Sequence, residues 1–271
     1  IPYIKVMNLG IIGCGKMGSA LVKGAIRENA IDGQKVMIID LIPELAQKLS
    51  KDIGATIAKT NDELIEISDA ILLCVKPQDM FSLTNSFTKK RSSKLFISIA
   101  AGIKIDDLEK SFKSDDRIIR VMPNTPAMIG QGASAQSRSK NATESDSQFV
   151  SNILNAVGIA IEVPEKQLDA VTGLSGSGPA YIYTVIEALA DGGVLVGLPK
   201  EKALMLAAKT VIGAAEMVIK SDEHPAKLRD QVASPGGTTI AGLAALESGK
   251  LRSTLIEAVK AATQRSEELG S

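Results

Sequence analysis

The chain has 271 residues, enough for one large domain or two modest ones with a sizeable core. Lys plus Arg and Asp plus Glu both number 31, with no strongly basic run, which argues against nucleic acid and anionic membrane surfaces as partners. Two widely separated cysteines, Cys14 and Cys74, and one histidine, His224, give neither a disulfide framework nor metal-ligand spacing. We therefore expect a cytoplasmic protein of a reducing compartment, with no metal site. The short apolar stretch around Lys5 leads at once into a folded pattern, so no secretory leader is expected. The longest apolar run, Ala180 to Leu198, carries Glu187 and Asp191, which suits a buried helix better than a membrane span.

Met7 to Ile12 reads as a short apolar strand, followed by Gly13-Cys14-Gly15-Lys16-Met17-Gly18 and helical spacing through Ile26. A second strand, Lys35 to Ile39, ends at Asp40. This is G-x-G-x-x-G in strand–turn–helix context with an acid at the end of the next strand, the pattern of dinucleotide binding. Its first glycine makes the tight turn, the second admits the pyrophosphate to the backbone, and the third lets helix pack on strand. Asp40 has two readings. As a partner of the ribose 2′-hydroxyl it favours NAD over NADP, and as a helix N-cap ahead of Pro43 it is purely local. Cys14 is read as a small filler at a variable loop position, the alternative being a reactive thiol beside phosphate.

Strands and helices then alternate. Pro43 to Lys51 is helical and stops near Gly54; Asn61 to Ile67 is a short helix capped by Thr60 or Asn61. Ala70 to Val75, Leu95 to Ile99 and Arg117 to Met122 are strands, and the helix Asp106 to Phe112 starts with a box-like pair, Asp106 and Glu109. A helix over 143–156 and a closing strand over 158–163 complete this half. The central strands are nearly continuous apolar runs, as expected when helices cover both faces of a parallel sheet. Their carboxyl ends carry Lys76-Pro77, Ala100-Ala101-Gly102 and Asn124-Thr125-Pro126, where open α/β sheets bind ligands. Lys76 reads either as a cofactor contact or as a solvated lysine.

After Pro164 no strand pattern recurs. Glu165 to Val171 starts a helix, which the segment Gly173-Leu174-Ser175-Gly176-Ser177-Gly178-Pro179 is expected to break. Further helices follow over 179–196, 199–220, 225–233, 238–248 and 253–269. The segment Ala203–Ile219 is apolar nearly all round, which in a domain of this size points to burial against a second subunit. Ser234-Pro235-Gly236-Gly237-Thr238-Thr239 stands just before the apolar run that begins at Ile240. Either it is an ordinary capped loop, or its free N–H groups and helix dipole seat a small carboxylate or phosphate.

With these stretches in view, the sequence resembles the pyrroline-5-carboxylate reductase family over essentially its whole length. The resemblance is carried by Ile12–Gly18, Val75-Lys76-Pro77, Asp169–Tyr181, Ala190-Asp191-Gly192-Gly193 and Ser234–Thr239. It implies a Rossmann-type α/β domain with a mostly parallel sheet over 1–164, then an all-α substrate-binding and dimerisation domain over 165–271. It further implies reduction of 1-pyrroline-5-carboxylate to L-proline by NAD(P)H, the last step of proline biosynthesis, in a homodimer that can assemble further. By motif the phosphate loop is Ile12, Gly13, Cys14, Gly15, Lys16 and Met17. Asn61, Cys74, Val75, Lys76, Pro77, Ile99, Ala100 and Ala101 would line the dinucleotide.

The resemblance puts the substrate carboxylate on the N–H groups of Thr238 and Thr239. The Thr239 hydroxyl, the catalytic candidate, faces the ring nitrogen, with Glu165 and Gln231 nearby. Asp40 stands where many members have a small polar residue, so it leans toward NADH although the family's habit allows NADPH. Gln231 replaces a more usual Asn. Two alternatives remain: a β-hydroxyacid-type dehydrogenase, whose catalytic lysine has no counterpart between Lys166 and Lys200, and a non-catalytic nucleotide-binding regulator, which leaves the Ser234–Thr239 turn idle.

Overall fold

A computed structural model describes residues 7–87 and 93–270; the stretch around Lys5 lies outside the described residues. The elements in order are β1 (Leu9–Ile12), α1 (Lys16–Arg27), β2 (Val36–Ile39), α2 (Pro43–Ile53), β3 (Thr56–Ile57), α3 (Asn61–Ile67) and β4 (Ala70–Leu73). Then come α4 (Met80–Asn85), β5 (Leu95–Ser98), α5 (Ile105–Ser111), β6 (Arg117–Met122), β7 (Gly132–Arg138), α6 (Glu144–Asn155) and β8 (Gly158–Glu162). The remainder is helical: α7 (Leu168–Val171), α8 (Gly178–Leu195), α9 (Lys200–Ser221), α10 (Pro225–Gln231), α11 (Thr238–Ser248) and α12 (Leu251–Leu269).

The strands form one eight-stranded sheet in the order β3-β2-β1-β4-β5-β6-β7-β8. Every neighbouring pair is parallel except β6 and β7, which run antiparallel with Met122 opposite Ala135. Successive side chains alternate faces. In β4, Ala70 and Leu72 join one core with Leu21, Leu49 and Val150, while Ile71 and Leu73 join another with Leu64, Met80 and Phe96. The second core is sealed by Phe96 stacked on Phe112, centroids 4.1 Å apart. Burial on both faces explains why these strands read as unbroken apolar runs. β7 was not expected: its sequence, GASAQSR, has no apolar run. Main-chain pairing with β6 and β8 holds it in the sheet.

Two helix starts differ from expectation. The box predicted at Asp106 and Glu109 does not form; α5 begins one residue earlier, with Lys104 as N-cap and no side-chain cap. Instead the Ile105 N–H donates to Oε1 of Glu165 at 2.7 Å. Asp40 is not the N-cap of α2; Ile42 holds that place. The Gly-rich stretch after Val171 interrupts the helix as expected: α7 ends at Val171, and a bend at Ser177 precedes α8. The stretch becomes a wide π-helical turn, Thr172–Gly176, closed by the Ser177 N–H on the Thr172 carbonyl at 2.8 Å.

The residues pack as two compact units: those up to Ser177 with those from Ala261 on, and Gly178–Lys260. The strand-to-helix change at 164/165 is thus not where packing divides the chain, because residues 165–177 and the end of α12 belong to the sheet unit. A buried cluster holds them there. Arg120 of β6, 3% exposed, reaches Glu165 Oε1 at 3.2 Å and Asp169 Oδ1 at 3.4 Å. Ser266 of α12 donates to the same Asp169 oxygen at 2.7 Å.

In the second unit α8 packs on α9 through Ala190, Ala203 and Ala207. Larger apolar residues of α9, among them Leu204, Met205, Ile212, Met217 and Ile219, stay exposed.

Candidate active site

The site in the sheet unit is built where β1 ends. Gly13 holds φ +102°, and a Cβ there would lie 2.6 Å from the Cys74 carbonyl oxygen, so only glycine makes this turn. A Cβ on Gly18 would meet the Gly13 oxygen at 2.5 Å and Cys74 Sγ at 3.0 Å, which explains the third glycine by packing of α1 on the strand ends. Gly15 is different: a Cβ there would have nothing within 4 Å. Gly15 is the N-cap of α1, no side chain caps the helix, and its first turn carries no acid. Open space beside unpaired N–H groups at a helix start is the cradle that a pyrophosphate fills.

A cavity of ≈ 430 Å³ opens from this cradle, lined by Gly15, Lys16, Met17 and Gly18 together with the ends of β4, β5 and β6. It gathers Cys74, Val75, Lys76, Pro77, Ile99, Ala100 and Ala101, all expected from sequence, and adds Met122, Pro123, Thr125 and Met128. The additions follow β6, where Asn124-Thr125-Pro126 already marked a carboxyl end, but the methionines carried no signal of their own. A second cleft of ≈ 300 Å³ runs from Cys14 and Lys16 between α1 and α2.

The other expected cofactor residues fall outside both linings. Ile12 is core, its carbonyl accepting the Cys74 N–H at 2.8 Å. Gly13 donates its N–H to the Ile39 carbonyl at 2.9 Å. Asn61 is half-buried at the first position of α3, whose start Thr60 caps through the Glu63 N–H. Asp40 sits beside the loop: its Oδ2 accepts the Cys14 N–H at 2.6 Å and its Oδ1 the Ile42 N–H at 2.8 Å.

Burial, with the neighbouring Asp40 charge, pushes the Cys14 thiol up to about 12; burial pushes Cys74 up as well. Burial thus disfavours the thiolate, the nucleophilic form, at both positions. Among the described residues no group of His, Cys, Asp and Glu could hold a metal ion. No helix there is long and apolar enough to cross a membrane.

In the helical unit, Ser234 to Gly237 form a tight turn in which Gly237 donates its N–H to the Ser234 carbonyl at 3.0 Å. Gly236 has φ +68°, and a Cβ on Gly237 would lie 2.3 Å from Ser234 Oγ and 3.1 Å from the Ser234 carbonyl oxygen, so the turn favours glycine at both positions. Gly237 is the N-cap of α11 with extended backbone and no side-chain cap. Thr238 and Thr239 are therefore the first two residues of an eleven-residue helix, with Thr238 exposed and Thr239 half-buried. Gln231 ends α10 and is exposed. His224 is exposed and its Nδ1 accepts the Ala226 N–H at 3.2 Å, capping α10. Glu165, expected near substrate, is held in the sheet unit by Arg120 and the Ile105 N–H.

A doubly wound sheet with this glycine loop, followed by a helical region, defines a dinucleotide-dependent oxidoreductase. Comparison with known proteins narrows the class. Residues 165–269 match the family model for pyrroline-5-carboxylate reductase dimerisation, and residues 8–102 match that for NADP oxidoreductase, coenzyme F420-dependent. The chain is 44% identical to the pyrroline-5-carboxylate reductase of Glycine max, over 97% of this chain and 96% of that protein.

Two crystal structures are similar throughout. The pyrroline carboxylate reductase of Plasmodium falciparum with NADP bound is 38% identical, with a TM-score of 0.87 and 98% of each chain covered. The pyrroline-5-carboxylate reductase of Coxiella burnetii is 33% identical, with a TM-score of 0.90 over 98% of this chain and 100% of that one. The chain belongs to the pyrroline-5-carboxylate reductase family. Its helical segment is that family's dimerisation region, so the protein is a homo-oligomer.

Proposed function

We propose that the chain reduces 1-pyrroline-5-carboxylate to L-proline, with the reduced dinucleotide on the Gly13–Gly18 loop and the substrate carboxylate on the start of α11. The observation that carries this reading is the pair of uncapped helix starts: Gly15 with open space beside it, and Gly237 with two threonines after it. Such starts offer N–H donors and partial positive charge to anions. The residues fit the group: phosphates go to the N–H groups of Gly15 and Lys16, and the nicotinamide end to the cavity walled by Cys74–Pro77 and Ile99–Ala101.

When bound, the reduced nicotinamide supplies the hydride that C5 of the cyclic imine accepts. The ring nitrogen enters protonated and keeps its proton as the amine of proline, so no strong general acid is needed. The Thr238 and Thr239 N–H groups hold the carboxylate, and Thr239 Oγ1 accepts the ring N–H and aligns the C=N bond. Orientation of this kind contributes up to roughly 7–11 kcal/mol in favourable cases. Gln231 sets the polarity of the same end, while Glu165 serves the Arg120 cluster.

Asp40 favours NADH, because a 2′-phosphate about 4 Å from its carboxylate meets a repulsion of roughly 1–4 kcal/mol per unit charge. NADPH remains a usable donor. We further propose a dimer through the exposed apolar faces of the helical unit, open to assembly of dimers, and work in the cytoplasm. A β-hydroxyacid-type reaction lacks its lysine. The test follows oxidation of NADH and of NADPH on adding pyrroline-5-carboxylate, with 3-hydroxyacids and no substrate as comparisons. Turnover of a 3-hydroxyacid alone, or of nothing, would reject the proposal.

A further inference from the structure

The segment Asp169–Tyr181 is among the most specific stretches of the sequence, yet none of the groups assigned so far uses its Gly-Ser run. Its geometry is unusual. Residues 172–176 form a π-helical turn, a rare conformation that concentrates at functional sites. Thr172 and Ser175 turn their hydroxyls back onto the carbonyls of Leu168 and Val171. The Ser175 carbonyl has a particular difficulty. Its α-helical donor would be the N–H four residues on, and that residue is Pro179, which has none.

Asn124 supplies the missing donor. It lies two residues past the end of β6, is only 8% exposed, and its Nδ2 donates to the Ser175 carbonyl at 3.0 Å. Its Oδ1 accepts the Ala133 N–H at 2.9 Å, so the amide orientation is fixed from both ends. Asn124 lies between Pro123 and Thr125, both of which line the 430 Å³ cavity. Met122, another wall residue, lies against the turn: a Cβ on Gly176 would stand 2.5 Å from Met122 Cε. The upstream end of the same segment is held by the same strand, through Arg120 to Glu165 and Asp169.

We propose that Asn124 is a positioning residue for hydride transfer: by taking the Ser175 carbonyl it sets the π-turn against the Met122–Thr125 wall of the cavity. The proposal rests on the reading that this cavity holds the nicotinamide end of the cofactor. Asn124 touches neither cofactor nor substrate in it. It fixes the wall against which they must align, and an error of an ångström in such alignment lowers turnover steeply.

The experiment uses the full chain and the variants Asn124→Asp, Asn124→Ala and Asn124→Ala with Pro179→Ala. Asn124→Asp keeps an acceptor for Ala133 and replaces the donor by an oxygen. Pro179→Ala returns a main-chain N–H four residues after Ser175. Measured quantities are kcat, the deuterium isotope effect with cofactor labelled at the transferred position, the Kd of NADH and NADPH by fluorescence titration, and Tm.

The expected result is a fall of kcat between about 10- and 100-fold in Asn124→Asp and Asn124→Ala, with a larger isotope effect. Kd should stay within about twofold, and the double variant should regain much of the lost turnover. The proposal is overturned if kcat and the isotope effect stay at wild-type values, if the loss of kcat merely follows Kd or Tm, or if none of the variants folds. Failure of the wild-type chain to bind either dinucleotide would remove the reading of the cavity itself, an outcome distinct from normal turnover in the variants.

Discussion

Asp40 Oδ2 accepts the N–H of Cys14 at 2.6 Å, tying the end of β2 to the middle of the glycine loop. Its second oxygen is held by the Ile42 N–H, so the carboxylate cannot swing aside without orphaning two main-chain donors. On the proposed reading, in which the adenosine ribose lies beside the end of β2, a 2′-phosphate would meet this charge where it stands. Asn at this position removes the charge and keeps the acceptor toward Cys14, giving up only the exposed bond from the Ile42 N–H. We expect Asp40→Asn to raise the ratio of kcat/KM for NADPH to that for NADH by at least about tenfold, the lower part of the repulsion estimated from Coulomb's law. Steady-state kinetics with both cofactors checks this, and an unchanged ratio would acquit Asp40 of any role in specificity.

Thr239 stands at the second position of α11, where it offers both a main-chain N–H and a hydroxyl. Removing the hydroxyl leaves the helix start intact. Thr239→Ala should lower kcat by about 10–100-fold, the size of one polar contact formed at the transition state, with little change in Tm. A rate equal to wild type would take Thr239 out of the mechanism. Thr239→Ser should restore most of the loss.

Arg120 is buried and carries the paired charges of Glu165 and Asp169. Breaking such a pair leaves an uncompensated charge in a dry place, which costs about 3–5 kcal/mol. Arg120→Met should accordingly lower Tm by roughly 6–20 °C. Glu165→Gln should cost less, because an amide oxygen still accepts the Ile105 N–H. Thermal unfolding followed by circular dichroism separates the two, and equal effects would contradict the account of the cluster.

The Cys14 thiol, raised to about 12 by burial and by Asp40, makes the fold sensitive to alkali. In the unfolded chain the thiol ionises near its ordinary value, so between there and 12 the folded state binds more protons than the unfolded one. Stability is then complete below the unfolded pKa and is lost as pH rises, at up to about 1.4 kcal/mol per pH unit from this group. Cys14→Ala should flatten the fall in stability on the alkaline side, measured by urea unfolding at a series of pH values. A parallel fall in wild type and variant would assign the loss elsewhere.

Three alanines form the buried core of the helical unit, while α9 leaves Leu204, Met205, Ile212 and Ile219 exposed. Exposed apolar surface of this extent marks an interface. Light scattering at micromolar concentration should give at least a dimer, and Met205→Glu with Ile212→Glu should shift it toward monomer and abolish turnover. A wild-type monomer with full activity would refute the interface.

Local chemistry made much of this molecule legible from the chain alone. Gly13, Gly15 and Gly18 could be assigned their separate tasks because a strained turn, an open helix start and close helix packing each favour glycine for a local reason, and the apolar runs of β4, β5 and β6 because both sheet faces are covered. The start of α11 was legible for the same reason: glycines, then hydroxyls, then an apolar helix.

What stayed hidden depends on contacts between distant residues. β7 has no apolar pattern, since its place is set by main-chain pairing with β6 and β8. The break expected over Gly173–Pro179 takes the form of a π-helical turn, and nothing in the sequence showed that Asn124, some fifty positions earlier, would donate to its Ser175 carbonyl. Glu165 reads as a substrate contact or a first-turn acid until the fold brings Arg120 and the Ile105 N–H to it. The sequence by itself determined the doubly wound sheet, the glycine loop and the threonine-bearing helix start, because short-range sterics and hydrophobic periodicity act within a few residues. Only the tertiary structure decided the partners of Asp40, Asn124, Glu165 and Asp169, because a buried polar group takes whichever complementary group the folded chain sets beside it.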